Sequence, residues 1–199
     1  MTDPFKDKAK DFDARDVPRQ LSAGIGSTLL RRVKLEKAMQ VMDFGAGTGL
    51  ITSQIVPHVQ KVTAVDVSPA MLEQLRAKHE LKGKVETICQ DIITNPLGRK
   101  FDVIVSAMAM HHIQDTDRMV QSLAEHLKPG GQVALADLDS EPGTFHPAET
   151  EGVFHSGFDR AALQSILARH GFHDISFTTA HTVQKEGRQY PVFLVVASH

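Results

Sequence analysis

The sequence predicts an α/β fold in which helices cover both faces of a parallel sheet. Between residues 39 and 137, short apolar runs alternate with segments of helical period, which is the pattern of strands joined by crossover helices. Three glycines, at positions 45, 47 and 49, follow the first run, where a strand is expected to turn into a helix. The chain has 199 residues, 41% of them hydrophobic and 23% charged, so we expect a single domain with a buried core.

Each element is assigned from its periodicity and its end signals. Apolar residues four apart, from Leu21 to Val33, predict a first helix within residues 18–38. Ser68 followed by Pro69 is a typical helix start and begins the predicted helix 69–80. The predicted strands are 39–44, 62–67, 85–89, 101–107, 132–137, 173–179 and 190–197, and the other predicted helices are 48–57, 116–127 and 159–170. Residues 138–158 show no periodicity, and loops of this length usually carry function or are disordered.

Composition argues against several classes of protein. The net charge of -2 and the absence of a long basic run disfavour nucleic acid as a partner. A single cysteine, Cys89, excludes an internal disulfide; its mid-strand position predicts an inert core residue. Residues 1–17 are charged throughout and lack the apolar core of a signal peptide, and no stretch approaches the ~20 apolar residues of a membrane span. We therefore expect a cytoplasmic protein that does not bind membranes.

The glycine turn predicts a small-molecule site at the carboxyl end of a strand. Glycine lets a ligand approach the backbone, and the helix that follows presents free N–H groups. A dinucleotide-binding turn would carry its third glycine at position 50, which is Leu50 here, so a nicotinamide-dependent oxidoreductase is disfavoured. Asp43 places a carboxylate at the turn, which favours a cationic ligand with an adenosine group. Asp66 lies 17 residues after Gly49, where it either accepts from both ribose hydroxyls or caps the next helix.

These motifs resemble those of class I S-adenosylmethionine-dependent methyltransferases. The segment VMDFGAGTGL resembles the first motif of that family, and residues 101–113 and 127–137 are similar to its fourth-strand motif and its fifth strand. The resemblance implies a doubly wound, Rossmann-like sheet of seven mostly parallel strands with an antiparallel last strand. On this resemblance, residues 1–199 form one methyltransferase domain with four parts. These are an N-terminal lid and helix (1–38), a cofactor-binding core (39–137), an acceptor-side loop (138–158) and a C-terminal helix with two strands (159–199).

The resemblance also implies a set of cofactor-binding residues for S-adenosyl-L-methionine. Asp91 would accept from the adenine amino group, with Ile92 against one face of the ring and Met71 or Val67 against the other. The backbone of Ser106 and Ala107 would face the methionyl end. The full predicted set is Asp43, Gly45, Ala46, Gly47, Gly49, Asp66, Val67, Met71, Asp91, Ile92, Ser106 and Ala107.

The catalytic residues are not fixed by these motifs. His112, His146 and His155 are weak candidates for a general base, because the pKa of histidine lies near neutrality. Alternatively, the pair His111-His112 belongs to an ordinary strand-to-helix connection that packs and caps. We expect no metal, because the acidic and histidine residues between positions 146 and 155 match no ligand spacing.

The predicted function is transfer of a methyl group, by in-line displacement, to an unidentified small-molecule acceptor. The acceptor is expected to be partly apolar and enclosed by Phe5 and Phe12 from the N-terminal segment and by Phe145 and Phe154 from the 138–158 loop. A non-catalytic binder of S-adenosylmethionine or S-adenosylhomocysteine is the alternative, because intact cofactor motifs do not distinguish the two. Both a monomer and a homodimer are compatible with the sequence.

Overall fold

The computed structural model describes residue 3, residues 5–147 and residues 149–199, and it contains one seven-stranded sheet. The strands are β1 (Gln40–Phe44), β2 (Lys61–Asp66), β3 (Val85–Cys89), β4 (Phe101–Ala107), β5 (Leu127–Leu138), β6 (His173–Lys185) and β7 (Arg188–Ser198). Their spatial order is β3-β2-β1-β4-β5-β7-β6. Neighbouring strands among β1–β5 pair in parallel, whereas β7 is antiparallel to both β5 and β6. The predicted mostly parallel sheet with an antiparallel last strand is therefore confirmed.

In the part of the chain that the structure describes, six α-helices connect and flank these strands. They are α1 (Lys6–Ala9), α2 (Asp16–Arg32), α3 (Leu50–Ile55), α4 (Pro69–Ala77), α5 (Thr116–Glu125) and α6 (Arg160–Arg169). The helix predicted over 116–127 ends earlier, at Glu125, because Leu127 already pairs with Phe101 as the first residue of β5. The last two strands are longer than predicted and form a hairpin, whose two-residue turn has positive φ at Glu186 and Gly187.

Two apolar layers cover the sheet, one on each face. Alternate residues of a strand point to opposite faces, so Val41 joins one layer and its neighbour Met42 joins the other. Helices α2, α3 and α4 contribute to the layer that contains Val41, and α5 and α6 contribute to the layer that contains Met42. Since the parallel strands end at the same edge, the residues that follow β1–β4 are brought together there, beside the switch in strand order between β1 and β4.

The N-cap of α6 provides a test of local stability that is separate from function. The Asp159 side chain accepts from the backbone N–H of Ala162 at 2.8 Å, and Asp159 does not line the cavity described below. We expect Asp159→Ala to lower the free energy of unfolding by about 1 kcal/mol, because a first-turn N–H loses its partner. Chemical denaturation measures this change, and Asp159→Asn, which can still cap, should largely preserve stability. An equal loss in both variants would contradict the capping role.

No helix in the described part of the chain is long and apolar enough to cross a membrane.

Candidate functional site

A cavity of about 820 Å³ lies along the carboxyl ends of the central strands. The glycine turn forms part of its wall, together with the residues that follow β2, β3 and β4. Three further segments contribute to the wall. They are the lid, which we define as residue 3 and residues 5–15, the first half of α2, and the part of the predicted acceptor-side loop formed by residues 145–147 and Thr150. A volume of this size is typical of pockets that bind small molecules.

The glycine turn shapes the wall of the cavity at two positions. Gly45 and Gly47 have φ of 69° and 54°, which favour glycine. A Cβ on Gly45 would lie 2.3 Å from the Cβ of Ala109, whereas one on Gly47 would meet nothing within 4 Å. Both glycines and Ala46 line the cavity. Gly49 does not, because it packs against the Leu75 side chain; its predicted contact with the cofactor is corrected to a packing role.

Asp43, at the carboxyl end of β1, is a buried acid that lines the cavity. Its Oδ2 accepts a hydrogen bond from the Thr52 hydroxyl on α3. Burial raises the pKa of Asp43 to about 7, and the nearby charge of Asp66 acts in the same direction, while the bond from Thr52 opposes them. A cation bound beside Asp43 would favour its ionised form, so this end of the cavity suits a ligand with an ammonium group.

Asp66, at the end of β2, joins the glycine turn to the start of α4. Its Oδ2 accepts from the Gly47 N–H at 2.7 Å, and its Oδ1 accepts from the Ser68 N–H at 2.8 Å. Burial raises the pKa of Asp66, although these backbone bonds oppose the shift. Ser68, not Asp66, caps α4, since its hydroxyl accepts from the Met71 N–H. Each carboxylate oxygen has a second lone pair, so Asp66 can still accept from a diol.

Residues that follow β3 form another part of the cavity wall. Asp91 lines it and is held by bonds from the Ile93 N–H and the Thr94 hydroxyl. The prediction for Ile92 is corrected, because Ile92 is fully buried in the core and Ile93 lines the cavity instead. Val67 and Met71 both line the cavity.

At the end of β4 the cavity wall begins one residue later than predicted. Ser106 is buried within the sheet, where its hydroxyl donates to the Phe44 carbonyl at 2.8 Å, and it does not line the cavity. Ala107, Met108 and Ala109 do. Met108 has a φ of 57°, an uncommon conformation for a residue other than glycine, which turns the chain out of the strand. The predicted contact from Ser106 is therefore corrected to the residues that follow it.

The lid is docked on the glycine turn. Asp13 accepts from the Thr48 hydroxyl and pairs with Lys78 at 2.7 Å. Asp3 accepts from the Ser68 hydroxyl at 2.9 Å. Phe5 packs edge-on against His112, with ring centroids 5.1 Å apart. The described residues of the N-terminal segment are thus tied to the glycine turn and to α4.

Three histidines and a buried acid lie together near Phe5 and Phe145. The ring of His111 lies 4.2 Å from that of His112 and 4.9 Å from that of His146, centroid to centroid, and all three line the cavity. His111 Nδ1 lies 2.7 Å from Oδ1 of Asp137, the buried acid near the end of β5. Sequence reasoning missed Asp137; the available signal was an acid at the carboxyl end of an otherwise apolar strand.

Several predicted acceptor-side residues lie elsewhere. His155 does not line the cavity, because it bonds to the Ile113 carbonyl and packs against Phe158. Phe154 is exposed and outside the cavity, whereas Phe5, Phe12 and Phe145 line it. Cys89 is exposed at the end of β3, so its assignment to the core was wrong. Within the described ranges, no group of three or more His, Cys, Asp or Glu residues could hold a metal ion.

The strand order and the position of this cavity define a doubly wound, Rossmann-like fold. Residues 41–131 match the family described as a methyltransferase domain. The chain is a class I S-adenosylmethionine-dependent methyltransferase. An uncharacterized methyltransferase of Schizosaccharomyces pombe is 28% identical, in an alignment that covers 91% of this chain and 70% of the length of that protein.

Other relatives match part of the chain or its fold. The ubiquinone biosynthesis O-methyltransferase of Coxiella burnetii is 30% identical, over 52% of this chain and 45% of its own. The chain thus spans about half the length of this relative. The solved structure of the N-methyltransferase NodS from Bradyrhizobium japonicum, in complex with S-adenosyl-L-homocysteine, has a TM-score of 0.73 and 16% identity. That comparison covers 99% of this chain and 94% of NodS, and it shows the common fold.

Proposed function

We propose that the protein transfers a methyl group from S-adenosylmethionine to a small, partly apolar acceptor. One observation carries this proposal: a single cavity extends from the glycine turn to the histidines and to Phe5 and Phe145. The nucleoside part suits the glycine turn, and the apolar and imidazole groups leave a separate place for an acceptor. A non-catalytic binder would need only the first part.

The residues present fit the cofactor. Gly47 leaves open space that a side chain would occupy, and Asp43 and Asp66 supply acceptors for an ammonium group and a ribose. Asp91 would accept from the adenine amino group, and Ile93 would pack against the adenine ring. When bound, S-adenosylmethionine supplies an electrophilic methyl group. The chain itself orients the acceptor and excludes water through the lid, residues 145–147 and Thr150, which raises the rate by positioning.

The acceptor class is supported by what surrounds its half of the cavity. Phe5, Phe12 and Phe145 offer apolar contact area, and the histidines offer hydrogen bonds. The curated name of the Coxiella relative, a ubiquinone biosynthesis O-methyltransferase, supports an acceptor of small-molecule type.

Calorimetry followed by a transfer assay tests this function. S-adenosylhomocysteine should bind to the purified chain and NAD should not. Labelled methyl groups should then reach members of a panel of small apolar alcohols, phenols, thiols and amines. Tight binding of S-adenosylhomocysteine with no transfer to any acceptor would favour the non-catalytic binder, and binding of NAD alone would favour an oxidoreductase.

Asp13 tests the contribution of the lid. We expect Asp13→Ala to weaken S-adenosylhomocysteine binding about three- to tenfold, because it removes one hydrogen bond and one partly exposed ion pair that tie the lid to the glycine turn. Calorimetry measures the affinity, and hydrogen exchange of residues 5–15 measures the docking. Asp11→Ala is the matched control, since it removes the same charge from an exposed position on the lid. Equal affinities in the two variants would show that docking through Asp13 does not matter for binding.

A further inference from the structure

His111 has one ring nitrogen without a hydrogen-bond partner. It is 1% exposed, lies in the short turn Met110–His112 after β4 and lines the cavity. Its Nδ1 faces Asp137, and its Nε2 is buried without a partner from the protein, as is Nε2 of His146. Buried polar atoms are normally paired, because an unpaired one costs free energy. The missing partner is therefore expected to come from a bound molecule.

Asp137 fixes which nitrogen of His111 carries the proton. Its Oδ1 accepts from the Leu138 N–H at 2.8 Å and lies 2.7 Å from His111 Nδ1, and its Oδ2 accepts from the His111 N–H at 3.2 Å. A carboxylate surrounded in this way by N–H donors assigns the ring proton to Nδ1. Nε2 then carries a lone pair and can accept a proton, and the carboxylate stabilises the imidazolium that forms.

The two neighbouring histidines lack this arrangement. His112 donates its Nδ1–H to the Gly152 carbonyl, at 2.6 Å, instead of to a carboxylate. Burial, together with the charge of His111, lowers the pKa of His112 to about 4 and that of His146 to about 4. The other charged groups that act on His146 are Asp137, Lys8 and Glu141. Of the three histidines, His111 is the one in direct contact with a carboxylate.

We propose that His111 is the general base of the transfer, that Asp137 positions it, and that the acceptor is a compound with a hydroxyl or thiol group. The inference rests on the proposed methyl transfer and adds the class of acceptor atom. A hydroxyl or thiol has a proton that must leave as the new bond forms, whereas a carboxylate acceptor has none and needs no base. The buried dyad is therefore suited to an O–H or S–H acceptor.

The proton and electron balance is complete within the site. The acceptor proton moves to His111 Nε2, and its bonding pair remains on the oxygen or sulfur. That atom forms the bond to the methyl carbon as the carbon–sulfur bond of the cofactor breaks, and the pair from the broken bond remains on the cofactor sulfur. The resulting imidazolium faces Asp137 and later releases the proton to solvent.

Histidine ring NMR tests the premise without any knowledge of the acceptor. In ¹⁵N spectra of the full chain with S-adenosylhomocysteine, the neutral ring of His111 should carry its proton on Nδ1. The resonances are assigned by their disappearance in His111→Gln. Asp137→Asn should disturb this arrangement, because an amide NH2 group cannot accept from the backbone N–H groups of Leu138 and His111. A wild-type His111 that carries its proton on Nε2 would overturn the proposal, whatever the acceptor is.

A matched pair of probes tests the chemistry. We expect the wild type to methylate 4-propylphenol, and His111→Gln and Asp137→Asn to lower kcat by about 10²- to 10⁴-fold. Their affinity for S-adenosylhomocysteine should stay within about twofold of the wild type. His173→Ala, at an exposed position on β6, is the control and should retain full activity.

The outcomes separate this inference from the proposed function. Methylation of 4-propylbenzoate but not of 4-propylphenol would overturn the dyad as a base. So would a phenol rate in His111→Gln equal to that of the wild type. Loss of S-adenosylhomocysteine binding by the wild type would instead contradict the proposed function itself.

Discussion

S-adenosylhomocysteine should bind about tenfold more weakly for each pH unit below 7, because its ammonium group needs the ionised form of Asp43. The pKa of Asp43 is raised to about 7 by burial, so below pH 7 binding must first remove a proton from this carboxyl group. The affinity for S-adenosylhomocysteine is therefore complete above pH 7 and falls as the pH is lowered. This loss of affinity stops once the pH reaches the pKa of Asp43 in the complex, which the bound ammonium group lowers.

Calorimetry between pH 5.5 and pH 8.5 measures this dependence. 5′-Methylthioadenosine is the matched ligand control, since it shares the nucleoside and the sulfur but lacks the ammonium group, and its affinity should change much less. Asp43→Asn should remove most of the pH dependence seen with S-adenosylhomocysteine. If both ligands lost affinity in parallel at low pH, the ammonium group would not lie beside Asp43.

Asp66→Ala should weaken S-adenosylhomocysteine binding about 10- to 150-fold, the equivalent of the ~1.5–3 kcal/mol typical of hydrogen bonds to a charged group. In the structure, Asp66 also accepts from the N–H groups of Gly47 and Ser68. A modest fall in melting temperature should therefore accompany the loss of affinity, because two backbone donors lose their partner.

Asp102→Ala is the matched control for Asp66→Ala. Asp102 lies near the start of β4, at the opposite end of the sheet, where it pairs with Lys128 and accepts from the Gln40 N–H. Its replacement changes the net charge equally and also removes a backbone partner, but it should leave cofactor affinity unchanged. If Asp66→Ala kept its affinity and lost only thermal stability, Asp66 would serve the fold and not the ribose.

The order of strands and helices was predictable because apolar periodicity reports directly on burial. The carboxylates at the strand ends were predictable for a related reason: the carboxyl ends of parallel strands meet at one edge, so Asp43, Asp66 and Asp91 had to lie near one another. Element ends were less predictable. Leu127 belongs to β5 because it pairs with Phe101, and no local signal in the segment 127–131 indicates that pairing.

The misplaced site residues show a second limit. Ile92 and Ile93 are adjacent apolar residues, yet one is in the core and the other lines the cavity. Ser106 and Ala107 differ in the same way. Consecutive residues of an extended segment point in opposite directions, so an error of one position reverses which residue contacts a ligand.

The pair His111–Asp137 marks a third limit. Its members are 26 residues apart in the chain, and no spacing rule connects them. The register of β4 and β5, in which Ala107 pairs with Ala136, brings the two residues together. Tertiary structure was therefore needed to separate His111, which contacts a carboxylate, from the histidine next to it.

A crystal structure of the chain with S-adenosylhomocysteine tests the central claim most directly. We predict the ammonium group beside Asp43, the ribose hydroxyls within hydrogen-bond distance of Asp66, and the adenine ring against Ile93 near Asp91. The thioether should then face His111 across the acceptor half of the cavity. A nucleoside bound away from the glycine turn, or side chains from the lid filling the place of the ribose, would contradict it.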